Sequence, residues 1–296
     1  MISQLPGSVG QMVRRFNITV DTKQPRFTIV TPNFNMGRYL VATIESVLCN
    51  LRPGDEYFIV DGGSSDESVN IIRTYESRIT GWISEPDKGY ADAIAKGFKR
   101  GSGELLAWIN SSDLLLPGAL DCARSLLANP ALELIFGDDY HIDEDGMVLF
   151  RSYGGTNNLR NMMLYGGWTP LQDACFWRRS LYDRVGGLNP DTRYAADFEL
   201  FLKFSLAGNY AYVPIAFSTY RKHAGQVSIS NARRYQDERH AILRRLRGRS
   251  VSDMALRMAY YLWLRLRSRI LQPIWNSRTH SGRPISEMVV DCPIAA

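Results

Sequence analysis

Leu105-Leu106-Ala107-Trp108-Ile109-Asn110-Ser111-Ser112-Asp113 is the stretch that decides the fold. An unbroken apolar run stops in a polar run that ends in a carboxylate. A short apolar run bounded by turn residues reads as a strand buried on both faces. In open α/β sheets, ligands bind in the crevice beyond the carboxyl ends of the strands, and Asp113 falls at such an end. A carboxylate there suits a hard cation that also takes water and phosphate oxygens. Asn110 to Asp113 are equally good helix-capping types, so this stretch alone leaves both readings open.

Upstream, Phe27 to Thr31 predicts a first strand, followed by turn chemistry at Pro32-Asn33-Phe34-Asn35. Leu40, Ile44, Val47 and Leu48 have helical spacing within Tyr39 to Leu48. Glu56 to Asp61 predicts a second strand that also ends in an acid, and Gly62-Gly63 a tight turn. Ser64-x-x-Glu67 reads as a capping box for a helix through Val69, Ile71 and Ile72. Trp82 to Ser84 predicts a short third strand and Gly89 to Phe98 a helix. This alternation predicts βαβ units and a parallel sheet.

Downstream, a helix is expected from about Pro117 to Leu127, with strands at Leu134 to Asp139, Met147 to Arg151, Ala174 to Trp177 and Tyr210 to Tyr220. Ser180 to Val185 starts a helix that Gly186-Gly187 ends, and Ala196 to Ala207 is another. The expected fold class is α/β: a mixed, mainly parallel sheet flanked by helices, with amphipathic helices at the C-terminus. The expected organisation is an N-terminal arm over 1–24, one globular domain over 25–230, and a basic helical extension over 231–296.

The 296 residues are 45% hydrophobic, enough for a full-sized core, and the net charge is +5. That charge suits an anionic substrate or an anionic membrane surface without demanding nucleic acid. Cys49, Cys122, Cys175 and Cys292 are far apart and form no C-x-x-C, so reduced thiols in a cytoplasmic protein are expected. Met1 to Thr19 lacks the apolar run of a secretory signal, and no stretch has the uninterrupted apolar length of a membrane span. Arginines crowd from Arg233 to Arg249, and Met254 to Trp275 mixes Arg with Leu, Trp, Tyr and Met. That composition suits an interfacial helix, hence a peripheral protein on the inner membrane face, or a helix packed on the domain or on another subunit. The tail beyond Arg278 is expected to be loose.

Asp61, Asp87 and Asp113 follow successive strands. Three anionic groups at one sheet edge repel one another unless a cation or donor groups lie between them; a metal or a bound nucleotide would supply that. The turn after the first strand, Thr31 to Gly37, is neither G-x-G-x-x-G nor a P-loop. A phosphate-bearing ligand is therefore expected to be held through a cation. Asp197 opens a helix, where an acid ordinarily compensates the dipole but is also placed to act as a general base. Glu199, two residues on, points elsewhere. His223 ends a strand and is a candidate metal ligand.

Read together, Val30-Thr31-Pro32-Asn33-Phe34-Asn35, Val60-Asp61-Gly62-Gly63-Ser64-Ser65-Asp66, Ser84-Glu85-Pro86-Asp87-Lys88-Gly89, Gly103 to Asp113, Leu116-Pro117-Gly118-Ala119, Gly186-Gly187-Leu188, Asp197 and Arg221-x-His223 resemble the family-2 glycosyltransferases of the GT-A fold. The resemblance covers about Arg26 to Ser230. It implies inverting transfer of a sugar from a nucleotide donor, UDP-linked by expectation, to a glycan or lipid-linked acceptor in polysaccharide biosynthesis. By the same resemblance Thr31 and Pro32 line the nucleoside pocket, Asp61 holds the base, and Asp87 and Lys88 lie near the nucleotide. Asp113 resembles the second acid of the family's Asp-x-Asp motif, which binds Mn2+ or Mg2+ on the diphosphate. Asp197 matches the catalytic base, His223 the extra metal or diphosphate ligand, and Gln172 a residue lining the sugar and acceptor region.

Ser112 departs from the pattern, because relatives carry an acid there that meets ribose or donor hydroxyls; a serine keeps part of that nucleotide-binding role. The departure keeps open a second reading, a non-catalytic sugar-nucleotide-binding protein of the same fold. A nucleotidyltransferase would need a glycine- and lysine-rich loop after the first strand, which Thr31 to Gly37 does not supply. The sugar, the acceptor and the oligomeric state are not named by the sequence.

Overall fold

A computed structural model describes residues 24–166, 169–223, 226, 231–247, 280–290 and 292. All of the arm expected over 1–24 except Gln24, and the basic helix from Met254 to Trp275, lie outside the described residues.

The chain runs β1 (Phe27–Asn33), α1 (Gly37–Leu48), β2 (Glu56–Asp61), α2 (Ser68–Thr74), β3 (Gly81–Ser84), α3 (Tyr90–Arg100), β4 (Leu105–Trp108), β5 (Leu114–Leu115) and α4 (Ala119–Leu127). It continues through β6 (Leu134–Ile142), β7 (Val148–Ser152), β8 (Cys175–Arg178), α5 (Arg179–Arg184), α6 (Ala196–Ala207), β9 (Tyr210–Arg221) and α7 (Ala232–Arg247). The sheet order is β3-β2-β1-β4-β8-β6-β9-β5, with β7 paired to β6. The first four strands are mutually parallel; β8 enters antiparallel to both β4 and β6, which makes the sheet mixed.

The apolar run of β4 feeds two cores because successive side chains point to opposite faces of a strand. Leu105, Ala107 and Ile109 join one core, packed with Leu40, Ile44 and Val47 of α1 and Leu120, Ala123 and Leu127 of α4. Leu106 and Trp108 join the other, with Ile94 and Phe98 of α3 and Phe198, Phe201 and Phe204 of α6. Tyr57 and Ile59 against Phe58 and Val60 repeat the split in β2. The second core is aromatic: Trp108 stacks on Phe201 at 6.0 Å, and Trp177 meets Phe98 and Phe204. Each fully buried Phe of this kind contributes about 1.5–3 kcal/mol. Ile242 and Leu243 of α7 are buried in the same core.

Three expectations are corrected. The capping box does not form: α2 begins at Ser68, and the Ser64 hydroxyl donates to Asp61 instead. The carboxylate is nearer and already anchored on β2, so the hydroxyl is captured before the helix starts. The tail is not loose where it is described. Val290 donates its N–H to the Pro117 carbonyl, and Met288 is buried with Leu114, Leu116 and Tyr140. Finally, Cys122 and Cys292 form a disulfide with Cα atoms 5.7 Å apart, a separation ordinary for such bonds. These cysteines are 170 residues apart in sequence, so spacing carried no sign of the pair. Cys49 and Cys175 are free.

Candidate active site

The carboxyl ends of β1, β2 and β3 converge on Asp61. Its carboxylate accepts from Asn33 Nδ2 at 2.7 Å, Ser84 Oγ at 2.6 Å, Ser64 N at 2.9 Å and Gly63 N at 3.1 Å, besides the Ser64 hydroxyl. Burial raises the Asp61 pKa, but donors from Ser64, Ser84 and Asn33 outweigh it and hold the carboxyl below its ordinary value. Asp61 is thus an ionised hub with all its near donors supplied by the protein, and it ties three strand ends into one rim.

On that rim, Asp87 Oδ1 accepts the Gly89 N–H at 2.8 Å. Gly62 lets Asp87 approach, since a Cβ at residue 62 would stand 2.7 Å from Asp87 Oδ2. Lys88 is exposed. Thr31 is placed differently: its hydroxyl pairs with Tyr57 Oη at 2.9 Å, and both residues are fully buried. Its side chain therefore serves the core, and only Pro32 and Asn33 carry β1 on to the rim.

Beyond β4 the chain makes a turn closed by Asp113 N donating to Asn110 O at 3.0 Å. Asp113 is 2% exposed. It accepts from Arg221 N at 2.9 Å and Asn110 Nδ2 at 3.2 Å. Asn110 Nδ2 also donates to Gln172 Oε1 at 2.9 Å, and Gln172 Nε2 donates to Trp108 O at 2.8 Å. Gln172 therefore pins the turn that carries Asp113. Arg221 locks it from the far side: its Nε donates to Ser112 O, and its Nη1 to Asp143 O and Glu144 O. His223 follows two residues after the amide bound to Asp113, with its ring against Tyr39 at 5.1 Å. Burial first, then the Arg221 and Arg38 charges, hold this imidazole below its ordinary pKa against an opposing pull from Glu144.

Two further acids border this turn. Asp173 accepts from Ser218 Oγ at 2.6 Å. Asp139, on β6, has both carboxylate oxygens buried without a hydrogen-bond partner among the described residues. Burial raises the pKa of Asp113, and the Asp173 charge adds to the rise. Burial likewise raises Asp139, helped by the charges of Asp173, Asp113 and Asp138. His141 Nε2 stands 3.6 Å from Asp139 Oδ1, but burial and the Lys222 charge push that imidazole down to about 4, so it is neutral at pH 7 and supplies no countercharge. Asp139, Asp173 and Arg221 were not assigned roles from the sequence. The only signal was the Asp138-Asp139 pair ending an apolar strand, and β-strand pairing across β6, β9 and β5 is what brings them to Asp113.

Asp197 opens α6, half-buried. Tyr90 Oη reaches its Oδ1 at 3.4 Å. Burial pushes the Asp197 carboxyl up to about 6, and the Phe198 N–H and Tyr90 hydroxyl oppose that rise. The thiol of Cys175 feels both Asp173 and Asp197, and Asp173 in turn acts on Asp113. Gln172 and Asn110 thus hold Asp113 just beyond the carboxyl end of β4, while Tyr90 ties Asp197 to the Asp87–Gly89 segment that follows β3. Glu199 faces elsewhere, as expected, bonding Thr192 and pairing with Lys203 and Arg245.

As a cation site, the region offers oxygen donors with charge to be neutralised: Asp113 and the unpartnered Asp139. Among the described residues no three carboxylate, imidazole or thiol side chains converge on one point. A hard cation of the Mg2+ type needs only one or two protein carboxylates when water and substrate phosphates complete its shell.

The mixed sheet between two helical layers, with acids gathered at its carboxyl edge, is the architecture of the GT-A glycosyltransferases. Solved structures share it: Staphylococcus aureus TarS residues 1–349 in complex with UDP-GlcNAc gives a TM-score of 0.62 at 15% identity, over 80% of this chain and 71% of that one. The mannosyltransferase PcManGT of Pyrobaculum calidifontis, in complex with GDP-Man and Mn2+, gives 0.61 at 16% identity over 89% and 78%. The model of glycosyl transferase family 2 matches residues 28–186, and the chain belongs to that family. An uncharacterized glycosyltransferase of Mycobacterium tuberculosis is 32% identical over 62% of this chain and 71% of its own length. A PGL/p-HBAD biosynthesis glycosyltransferase of Mycobacterium bovis is 25% identical over 65% and 76%. No helix among the described residues is long and apolar enough to cross a membrane.

Proposed function

We propose that the chain transfers a sugar, with inversion, from a nucleoside-diphosphate donor to a hydroxyl of a glycan or lipid-linked acceptor. The observation that carries this reading is Asp197: a half-buried carboxyl at the start of α6, in reach of the hydroxyl of Tyr90, which follows the Gly89 held by Asp87, with burial pushing the carboxyl up to about 6. A carboxyl in that range is ionised at neutral pH yet basic enough to take a proton as attack proceeds.

Asp197 accepts the proton of the acceptor hydroxyl while its oxygen attacks the anomeric carbon from the face opposite the diphosphate. The rim of Asp61, Asp87 and Lys88 receives the nucleoside and its phosphates. Asp61 positions Ser64 and Ser84 there, and a direct bond from Asp61 to the base would replace one of its present donors. Gln172 and Arg221 hold the turn that presents Ser112 and Asp113. Asp113, with His223 nearby, would hold Mn2+ or Mg2+, which when bound supplies Lewis-acid stabilisation of charge on the leaving diphosphate. The basic charge balance supports peripheral contact with an anionic membrane, where a lipid-linked acceptor would lie.

The test is a panel of nucleotide sugars with Mn2+, screened first for thermal stabilisation and then for transfer. Asp197→Asn is expected to lower turnover by about 10²–10⁴-fold while donor binding is kept. An Asn variant with wild-type turnover removes Asp197 from the chemistry. Donor binding without any transfer or hydrolysis across the panel would favour the binding-protein reading instead.

A further inference from the structure

The first amides of α6 find no cap in their own sequence. The N-cap residue, Ala195, makes no side-chain bond, and the hydroxyl of Tyr194 accepts from Arg234 instead. Helix starts leave donors that need partners, and here two other helices supply them. Glu238 of α7 accepts the N–H groups of Arg193, Tyr194 and Ala195 at 2.9, 2.6 and 2.6 Å. Tyr90, the first residue of α3, accepts those of Ala196 at 2.9 Å and Asp197 at 3.3 Å through its hydroxyl oxygen. That hydroxyl has one proton to give, and it stands 3.3 Å from Tyr194 O and 3.4 Å from Asp197 Oδ1.

The other end of this contact is the nucleotide rim. Tyr90 follows Gly89, whose φ of +125° suits glycine and whose N–H is held by Asp87. Only Lys88 and Gly89 therefore separate Asp87 from the phenol that sits on the candidate base. An aromatic at the first helical position has no capping value for its own helix, so the sequence offers no local reason for a tyrosine there.

We propose that Tyr90 is the positioning residue of Asp197: its hydroxyl fixes that carboxylate against the start of α6 and ties it to the Asp87–Gly89 segment of the donor rim. This rests on the sugar-transfer reading above. Burial, and then the charge of Asp197, keep the phenol protonated well above its ordinary range, so it stays a donor whenever Asp197 is ionised. The other titratable groups facing Asp197 are Glu238 and Tyr235 from α7 and Cys175 from β8. Among the described residues, Tyr90 offers it the side-chain hydrogen bond that favours the ionised form.

The experiment compares the full chain with Tyr90→Phe, with fluorotyrosine introduced at residue 90, and with Asp197→Asn. Two quantities are read: the carboxyl titration of Asp197 by NMR, assigned by its loss in Asp197→Asn, and the pH profile of diphosphate release from UDP-GlcNAc and GDP-mannose with Mn2+. Removing the donor in Tyr90→Phe should move the titration and the acidic limb to higher pH by about 1, equivalent to a tenfold change in ionised fraction. The donor KM should stay unchanged while kcat falls. Fluorotyrosine keeps the shape and donates more strongly, so it should move both to lower pH. A purely structural tyrosine would lower thermal stability and leave the titration where it was. An unmoved titration in both Tyr90 variants refutes the positioning role alone, whereas wild-type turnover in Asp197→Asn refutes the base assignment and this inference with it.

Discussion

Asp139 is a buried acid without a hydrogen-bond partner among the described residues, and replacing it should stabilise the protein in a pH-dependent way. Its side chain is 1% exposed, both oxygens lack a partner among the described residues, and burial plus three neighbouring acids raise its pKa. Asn is its neutral isostere and leaves the volume unchanged. A buried polar group stripped of partners costs about 1–3 kcal/mol, more when charged. Because the folded pKa lies above the unfolded one, near 3.9 on the ordinary scale, the sign is fixed. Stability is full below the unfolded value and is lost as pH rises through the folded value. At pH 3, below both values, wild type and Asp139→Asn should melt nearly together, since both side chains are then neutral folded and unfolded. At pH 8, without divalent cations, the variant should be more stable by about 2 kcal/mol, or roughly 4–8 °C in Tm for a domain of this size. Differential scanning calorimetry at the two pH values reads this directly. An equal Tm difference at both values, or a variant less stable at pH 8, would refute the idea that an uncompensated charge sits at this position.

The Arg124–Asp55 pair is buried on both sides at 2.7 Å, and Asp55 also accepts the Phe27 N–H at the start of β1. Arg124→Met should therefore destabilise by about 3–5 kcal/mol, because it leaves the acid buried alone; urea unfolding measures it, and a loss under 1 kcal/mol would mean that water reaches Asp55. Cys122→Ser should cost about 2–4 kcal/mol, the usual range for a disulfide. A non-reducing peptide map should show the Cys122 and Cys292 peptides joined, and a wild-type Tm indifferent to dithiothreitol would count against the bond.

Much of the fold was legible because it is written locally. The short, mostly apolar runs from Phe27, Tyr57 and Leu105 announce strands buried on two faces, and helix spacing from Ala196 to Ala207 needs no partner to be read. The ends of those strands located Asp61, Asp87 and Asp113 by topology alone, and the opening of α6 located Asp197. What those residues do there was decided only by tertiary contacts. Thr31 was assigned to the nucleoside pocket, yet its hydroxyl points into the core at Tyr57. Ser64 looked like a cap and became a donor to Asp61. Asp139 showed only as one of an acid pair ending an apolar strand and Asp173 not at all, and strand pairing across β6, β9 and β5 set them beside Asp113. The disulfide joined residues with nothing between them in sequence to suggest it. Backbone periodicity and turn chemistry depend on neighbours a few residues away, so the chain itself carries them. Charge, burial and hydrogen-bond saturation depend on what the fold brings within a few ångströms from a hundred residues off, and those terms set the pKa of Asp197 and the environment of Asp113.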